Sequence, residues 1–371
     1  ARGAYQARVL QGVAEVLDAA GRPNPFDLVC GISAGSLNAA LLAAGWHDIG
    51  AATDGMVRIW SDLRSRDVFR TGSLALSGNA LRWLRQASLG GLFERHGVDA
   101  LLDTAPLRGL LERELRLFDV HRHVADGSLA AFALSATDYE SGHGVTFVEG
   151  PPGTPLWERF RRTSVAVEVS LDHLMASSAI PILFPPVRID GRWYGDGGTR
   201  DAAPLSPDIH LGADQLVVVG VRPPPRERPP ETDEAVERPS LARVLSTMIN
   251  GILMDAVDTD VERLTRINRT LSHLDPEQRA RQPLRTIDCL WIHPSQDLAE
   301  IAEKHVTSAP APIRYLIGGL GPPHHAREIY SYLLFERDYC RALIELGRAD
   351  ARVHGEALLA LAGDPRAARG R

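Results

Sequence analysis

Apolar residues recur at helical spacing near the start of the chain and then give way to a short apolar run. Val9 and Val13 lie on one face of a helix that we predict over residues 4–19. Residues 26–30, FDLVC, are mostly apolar, as is typical of a short buried strand, and residues 36–44 are rich in Ala and Leu, as in a helix. The first part of the chain therefore predicts a helix, a strand and a helix in that order.

Strand and helix patterns continue to alternate farther along the chain. We predict helices over residues 104–115, 241–267 and 328–347, and strands over residues 129–136, 145–148, 215–221 and 287–292. The β-branched run at 215–221 is typical of a strand covered on both faces. Interleaved strands and helices indicate an α/β fold with a mainly parallel sheet.

A change of composition divides the chain after residue 221. Residues 222–239 are rich in Pro, Glu and Arg, which is typical of a solvated loop. We therefore expect one domain over residues 1–221 and a helical extension over residues 240–371. The strand predicted at 287–292 could complete the sheet of the first part, so the extension need not be an independent domain.

Charge and cysteine content narrow the range of functions. The 371 residues include 41 basic and 47 acidic side chains, and the net charge of −6 argues against a nucleic-acid-binding protein. Cys30, Cys289 and Cys340 are far apart, so neither a disulfide framework nor a metal site is expected, and a reducing, cytoplasmic compartment fits best. No apolar run approaches the ~18 residues of a transmembrane helix.

The segment with the clearest chemistry is Gly31-x-Ser33-x-Gly35, which lies between a predicted strand and a predicted helix. In such a turn the serine takes a strained backbone conformation that projects its hydroxyl, and the glycines avoid clashes where strand and helix meet. The Ala34 N–H at the helix N-terminus would stabilise an oxyanion. The alternative is a glycine-rich turn in which Ser36 caps the helix. The flanking strand and helix favour a nucleophile.

Such a serine needs a base, and the candidates in the sequence are histidines and carboxylates. The histidines that follow it, as in a triad where the serine comes first, are His210, His293, His324 and His325. None lies in a persuasive loop, and we expect a structural or surface role for each. Asp196 stands among glycines, beyond a hairpin that we predict around Gly191. A carboxylate in contact with the Ser33 hydroxyl could accept its proton directly, which would give a dyad without histidine.

Four segments of the chain occur in a fixed order. They are GISAGSLNAA at 31–40, ATD at 136–138, ASSAIPILFPP at 176–186 and DGG at 196–198. This ordered set resembles the patatin-like phospholipase family, over residues 1 to about 221, and the SYLLF segment at 331–335 is similar to bacterial members. GxSxG alone is a weak signal, whereas the ordered set is a specific one. The resemblance implies a lipid acyl hydrolase on a three-layer α/β/α sandwich, with a helical C-terminal extension here.

The resemblance also assigns roles to residues, position by position. Ser33 would be the nucleophile and Asp196 the base of a Ser-Asp dyad. The motif glycines would be Gly31, Gly35, Gly197 and Gly198. No metal or cofactor is implied.

The family's oxyanion loop, Gly-Gly-Gly-x-Arg-Gly, is represented here only by its end, at Ala1, Arg2 and Gly3. Arg2, Gly3 and Ala34 are therefore the expected oxyanion or substrate contacts. One missing oxyanion donor can lower a rate by ~10²–10³-fold. Because the sequence begins without Met and continues directly into the expected helix, we expect trimming at the N-terminus, and a crippled hydrolase is the alternative.

Contact with lipid is expected from residues 58–95, where arginines alternate with Leu and Trp83 in a basic amphipathic pattern. The alternative for this stretch is a cap packed over the active site. The expected partners are a lipid ester substrate and, peripherally, a membrane or lipid aggregate. The expected function is hydrolysis of lipid esters through an acyl-enzyme. A short-chain esterase or acyl thioesterase with the same dyad and a non-catalytic lipid-binding protein are the alternatives.

Overall fold

The computed structural model describes residues 1–71, 100–200, 203–224, 238–253 and 255–363. Its helices are α1 (Gly3–Ala19), α2 (Ala34–Ala44), α3 (Ile49–Asp62), α4 (Ser65–Val68), α5 (Ala105–Glu114), α6 (Leu117–Ala125), α7 (Leu171–Ser177), α8 (Ser206–Leu211), α9 (Leu241–Leu253), α10 (Asp255–Ser272), α11 (Pro276–Ala280), α12 (Leu298–Lys304), α13 (Ala311–Gly318), α14 (Pro323–Leu333), α15 (Arg337–Val353) and α16 (Gly355–Leu361). Its strands are β1 (Leu28–Ile32), β2 (Ala131–Asp138), β3 (Gly144–Glu149), β4 (Glu158–Arg159), β5 (Arg162–Ala166), β6 (Val187–Ile189), β7 (Arg192–Asp196), β8 (Gln215–Val219) and β9 (Asp288–Ile292). Single 3₁₀ turns occur at Gly197–Thr199 and Val306–Ser308.

The described strands form a seven-stranded sheet and a separate pair of strands. The order in the large sheet is β4-β5-β3-β2-β7-β6, and β1 also pairs with β2. Every residue of β2 and β3 is buried. Both faces of these two strands are therefore covered, as in a layered α/β fold.

Two strands share one edge of β2, because β3 occupies the other edge. β1 runs parallel to β2, with Ile32 paired to Ser135. β7 runs antiparallel to β2, with Asp196 paired to Ala136. The carboxyl ends of β1 and β7 therefore meet head-on beside two adjacent residues of β2.

The large sheet is mixed, whereas alternating strands and helices predict a mainly parallel one. Among its described pairs, β1–β2 and β3–β5 are parallel and the others are antiparallel. For the pairs β2–β3 and β6–β7, the reason is the length of the connections. The turn at 139–143 joins β2 to β3, and Asp190 and Gly191, with φ of 48° and 87°, join β6 to β7. Such turns are too short for the crossover that parallel neighbours need. The α/β class and the hairpin around Gly191 are confirmed.

β8 and β9 form a parallel pair outside the large sheet, with Val219 opposite Ile292. The strand predicted at 287–292 thus joins the strand predicted at 215–221, across the Pro/Glu/Arg-rich loop. In the part of the chain that the structure describes, this pair does not hydrogen-bond to the large sheet. The Gln6 side chain of α1 donates to the Val219 carbonyl at 3.1 Å, which places the pair beside α1.

Helix α1 packs against α15 at two glycines. A Cβ on Gly347 would lie 2.7 Å from the carbonyl oxygen of Tyr5 and 3.2 Å from Cβ of Arg8. A Cβ on Gly12 would overlap that of Ala351. The close crossing therefore requires Gly at both positions, and it joins the first helix of the chain to the predicted helical extension. The division into two domains stays a prediction.

The helix predicted over 328–347 is interrupted at residues 334–336, between α14 and α15. Phe335 in this break is buried. Its ring meets that of Phe69 edge-on, with the centroids 6.2 Å apart. The break between the two helices thus lies where the Phe335 ring packs into the core. The helical spacing of apolar residues does not reveal this break.

The helix predicted over 241–267 corresponds to α9 and α10, on either side of Met254, which lies outside the described residues. α9 packs against α14, where the Ser246 hydroxyl donates to the His325 carbonyl at 3.0 Å. Neither these helices nor the others in the described ranges are long and apolar enough to cross a bilayer.

Most of the stretch predicted to contact lipid, residues 58–95, lies outside the described residues. In its described part, Trp60 of α3 is buried and donates from Nε1 to Oδ1 of Asn38 at 2.8 Å. Trp60 therefore belongs to the core and not to a lipid-contacting surface.

Replacing Gly347 with Ala is expected to lower the free energy of unfolding by about 1–3 kcal/mol, because the added methyl must displace the main chain of α1. The control is Gly55→Ala on α3, where a Cβ meets only the Arg58 guanidinium at 4.0 Å. There Ala should stabilise the helix by up to ~1 kcal/mol. Denaturant titration of both variants and the wild type measures the difference. Equal stability of the two variants would contradict a tight α1–α15 crossing.

Candidate active site

Ser33 stands at the sharp turn from β1 into α2. Its φ of 55° and ψ of −129° lie in a region that residues other than glycine rarely adopt. Its carbonyl accepts hydrogen bonds from the Ser36 N–H at 2.9 Å and from the Ser36 hydroxyl at 2.6 Å. The turn thus has the strained serine that the motif predicts, and Ser36 supports it from the first turn of α2.

The two motif glycines of this turn have different surroundings. A Cβ on Gly31 would lie 2.6 Å from the carbonyl oxygen of Gly35 and 2.6 Å from Cα of Ser36. A Cβ on Gly35 would meet only the side-chain amide of Gln6, at 3.8 Å. A side chain at position 31 would therefore clash with the main chain, whereas one at position 35 would not. The motif predicts the same steric restriction at both positions.

Asp196 lies opposite the serine hydroxyl. Ser33 Oγ donates a hydrogen bond to Oδ2 of Asp196 at 2.6 Å. The contact follows from the sheet, since Ile32 pairs with Ser135 while Asp196 pairs with Ala136 on the shared edge of β2. The structure therefore brings the two predicted dyad residues into direct contact.

The main chain around Asp196 is fixed on both sides. Its N–H donates to the Ala179 carbonyl at 2.8 Å, and its carbonyl accepts from the Thr137 hydroxyl at 2.8 Å. The Gly198 N–H donates to Oδ1 at 2.9 Å. One carboxylate oxygen is thus held by the turn that follows β7, which directs the other toward Ser33.

Burial changes the acidity of Asp196. Its side chain is 1% exposed, and the loss of solvation raises its pKa to about 6, although hydrogen bonds from Ser33 and Gly198 act in the opposite direction. A carboxylate with this pKa is a stronger base than an exposed aspartate and is still ionised at neutral pH. Ser33 is only half-buried, which leaves it within reach of a substrate.

A second serine contacts Ser33 from its N–H side. The Ser33 N–H donates to Oγ of Ser177 at 3.1 Å, and the Ser177 hydroxyl donates to the Ser135 carbonyl at 2.7 Å. Ser177 is the last residue of α7 and is fully buried. Ser177 lies in the family-like segment 176–186, but the sequence indicates no role for it. Its contact with Ser33 joins positions that are 144 residues apart.

The first residues of the chain lie beside the start of α2. A Cβ on Gly3 would come within 3.2 Å of Cβ of Ala34, so these two expected oxyanion residues are neighbours. The Arg2 guanidinium pairs with Glu328 and donates to Oγ of Ser331 at 2.7 and 3.0 Å. The Arg2 side chain is therefore engaged with α14.

Tyr332 of α14 is held by the same first residues. The Ala1 amino group donates to its carbonyl at 2.8 Å, and the Arg2 guanidinium lies over its ring, 4.5 Å from the centroid. Burial raises the pKa of the Tyr332 hydroxyl to about 12, and the charge of Asp196 adds to the effect. Ala1 and Arg2 thus hold Tyr332 through its main chain and its ring, contacts that sequence reasoning missed.

The four histidines considered as bases have their described contacts away from Ser33. The contacts join His210 to Trp157, His293 to Trp291, His325 to Ser240, and His324 to His325. Because these contacts lie away from Ser33, they favour a residue other than histidine as the base for Ser33. Over the described ranges, no group of three His, Cys, Asp or Glu side chains is placed to hold a metal ion.

Comparison with known proteins gives one informative match. A family model described as patatin-like phospholipase matches residues 1–209. No curated protein matches the chain significantly. Among solved structures, VipD from Legionella pneumophila has a TM-score of 0.29 and 12% identity, over 95% of this chain and 73% of the VipD chain. A TM-score this low does not show a shared fold.

Gly31→Ala is expected to lower the free energy of unfolding by about 1–3 kcal/mol, because its methyl would press against the main chain of α2. Gly35→Ala is the matched control, since its Cβ has room, and it should change stability by less than ~1 kcal/mol. Thermal unfolding of both variants tests the difference. Equal losses would contradict the asymmetry between the two glycines.

The buried charge of Asp196 should make stability depend on pH. Its pKa rises from 3.8 to about 6 on folding, so the folded state binds the proton more tightly than the unfolded state. The resulting destabilisation is absent below about pH 4, grows between about pH 4 and 6, and reaches up to ~3 kcal/mol above that.

Asp196→Asn is therefore expected to unfold at a higher temperature than the wild type at pH 8, and at about the same temperature at pH 4. Calorimetry of both proteins across this range is the measurement. A difference that does not change with pH would refute the effect of burial on this carboxyl.

Proposed function

Because the chain belongs to the patatin-like phospholipase family, we propose that it hydrolyses lipid esters through Ser33 as nucleophile and Asp196 as base. The family model covers residues 1–209, and membership supports a hydrolase acting on lipid esters in general. The observation that carries the finer proposal is the 2.6 Å hydrogen bond from the hydroxyl of a strained serine to a buried aspartate.

The geometry supports direct proton transfer. As Ser33 Oγ attacks the ester carbonyl carbon, its proton moves along the existing hydrogen bond to Oδ2 of Asp196. The same proton then passes to the leaving alkoxide when the tetrahedral intermediate collapses. This leaves an acyl-enzyme on Ser33 and an ionised Asp196. Water, activated by Asp196 in turn, releases the fatty acid and restores the serine.

The N-termini of two helices lie beside each other, and one of them directly follows Ser33 in the chain. Ala34 is the first residue of α2 and Gly3 the first residue of α1, and the two are in contact. The N–H groups of a first helical turn are not used by the helix itself, and they carry partial positive charge. We propose that the N–H groups of Ala34 and Gly3 stabilise the oxyanion. Arg2 would contribute through its main chain, because its side chain is bound to Glu328.

The proposed reaction also implies a substrate and a surface on which it is met. We propose a lipid ester as substrate and peripheral contact with a membrane or lipid aggregate, without nucleic acid. No metal or cofactor enters the steps above. A cytoplasmic location is a prediction from cysteine content.

Ser33→Ala is expected to abolish both labelling by a fluorophosphonate and hydrolysis of phospholipids and p-nitrophenyl esters. Asp196→Asn should lower kcat by about 10²–10⁴-fold, because the amide cannot accept the proton. In the wild type, kcat/KM should fall about tenfold per pH unit below about pH 6, as Asp196 becomes protonated.

The control is His325→Ala, which removes a histidine that contacts Ser240 and should leave turnover within a few-fold of the wild type. Full turnover in Asp196→Asn together with a loss in His325→Ala would reject the dyad. Substrates of increasing acyl length separate a lipid hydrolase from a short-chain esterase, and acyl thioesters test for a thioesterase. Lipid binding without labelling or hydrolysis would identify a binding protein.

A further inference from the structure

We propose that Ser177 is a positioning residue that holds the main chain of Ser33 in its strained conformation. The proposal rests on the proposed function, since the nucleophile it positions is Ser33. Ser177 acts through the Ser33 N–H, 3.1 Å from its hydroxyl oxygen, and not on the substrate.

The strain at Ser33 has to be held from both sides. A residue other than glycine with φ of 55° persists only where its surroundings fix it. On the carbonyl side, Ser36 donates two hydrogen bonds, from its N–H and its hydroxyl, at 2.9 and 2.6 Å. On the N–H side, the acceptor is Ser177 Oγ. Ser177 thus completes the set of bonds that fixes the two peptide groups flanking Ser33.

A hydroxyl suits this position because it donates and accepts at once. Ser177 accepts from Ser33 and donates to the Ser135 carbonyl of β2 at 2.7 Å. The same carbonyl lies against Gly197, where a Cβ would overlap it, and Gly197 directly follows Asp196. Nucleophile and base are therefore both located relative to one carbonyl of β2, and Ser177 is the link on the nucleophile side.

Removal of the hydroxyl would take this partner from two main-chain groups, the part-buried Ser33 N–H and the buried Ser135 carbonyl. Buried polar groups left unpaired are costly, so the turn would relax toward ordinary backbone angles. Ser33 Oγ would then move away from Asp196. A displacement of about 1 Å at a reacting group can lower a rate by roughly 10²-fold.

The experiment compares Ser177→Ala with Ser178→Ala. Ser178 is the next residue, is also buried, and donates its hydroxyl to two carbonyls of the preceding helix α7, those of Leu174 at 2.9 Å and Met175 at 3.3 Å. For Ser177→Ala we expect the fluorophosphonate labelling rate and kcat to fall about 10- to 100-fold with KM within ~3-fold. For Ser178→Ala, all three should stay within ~3-fold. Ser177→Thr, which keeps a hydroxyl, should recover most of the lost rate.

A second readout does not depend on activity. Hydrogen exchange of the Ser33 amide should be faster in Ser177→Ala than in Ser178→Ala, because the bond from this amide is lost. Equal labelling rates and equal kcat in the two alanine variants would overturn the proposal. Should Ser177→Ala not fold, Ser177→Cys replaces it, since its thiol is similar in size but a weaker acceptor.

The two proposals fail in different ways. A wild type that is neither labelled nor hydrolytic refutes the proposed function. In that case exchange of the Ser33 amide still decides whether Ser177 holds this turn: faster exchange in Ser177→Ala supports the proposal, and exchange equal to that of Ser178→Ala overturns it.

Discussion

One edge of β2 is shared by two strands that approach from opposite directions, and the candidate site exists because their ends meet there. Ile32 and Asp196 occupy adjacent register positions, opposite Ser135 and Ala136. The contact between Ser33 and Asp196 is therefore set by ladder hydrogen bonds between strands and does not rely on long loops. A slip of one residue in either strand would also turn its side chains to the other face of the sheet.

The same arrangement forces a carboxylate into the interior. The position next to β2 is covered, so the Asp196 carboxylate loses its solvation and accepts hydrogen bonds from Ser33 and Gly198 instead. A carboxylate buried in this way lowers the stability of the folded state. Two main-chain hydrogen bonds, from the Thr137 hydroxyl and to the Ala179 carbonyl, hold Asp196 at this position.

The local elements could be predicted from the sequence, and so could the pairing of Ser33 with Asp196. Helical spacing and the apolar run locate α1, β1 and α2 to within a few residues, because these signals are short-range. The direction of β3 depends instead on the length of one turn, and the break before α15 coincides with the packing of Phe335 on Phe69. Contacts such as that between Phe69 and Phe335 join positions far apart in the chain, and the spacing of apolar residues does not indicate them.

The same limit applies to the residues around the candidate site. Ser177 and Ser178 are identical in type and adjacent, and only the fold distinguishes the one that reaches Ser33. Arg2 was expected at the oxyanion from its motif position. Its side chain turns to Glu328, a partner more than three hundred residues away that no local pattern indicates.

Hydrogen bonds and an ion pair join the first residues of the chain to α14, which lies beyond the residues that the family model matches. Arg2 is a buried cation whose counter-charge, Glu328, lies far outside residues 1–209. A protein shortened to the matched residues would lose Glu328 together with α14 and α15, and α15 is the helix against which α1 packs. The boundary of the family match therefore does not coincide with the boundary of the folding unit around the candidate site.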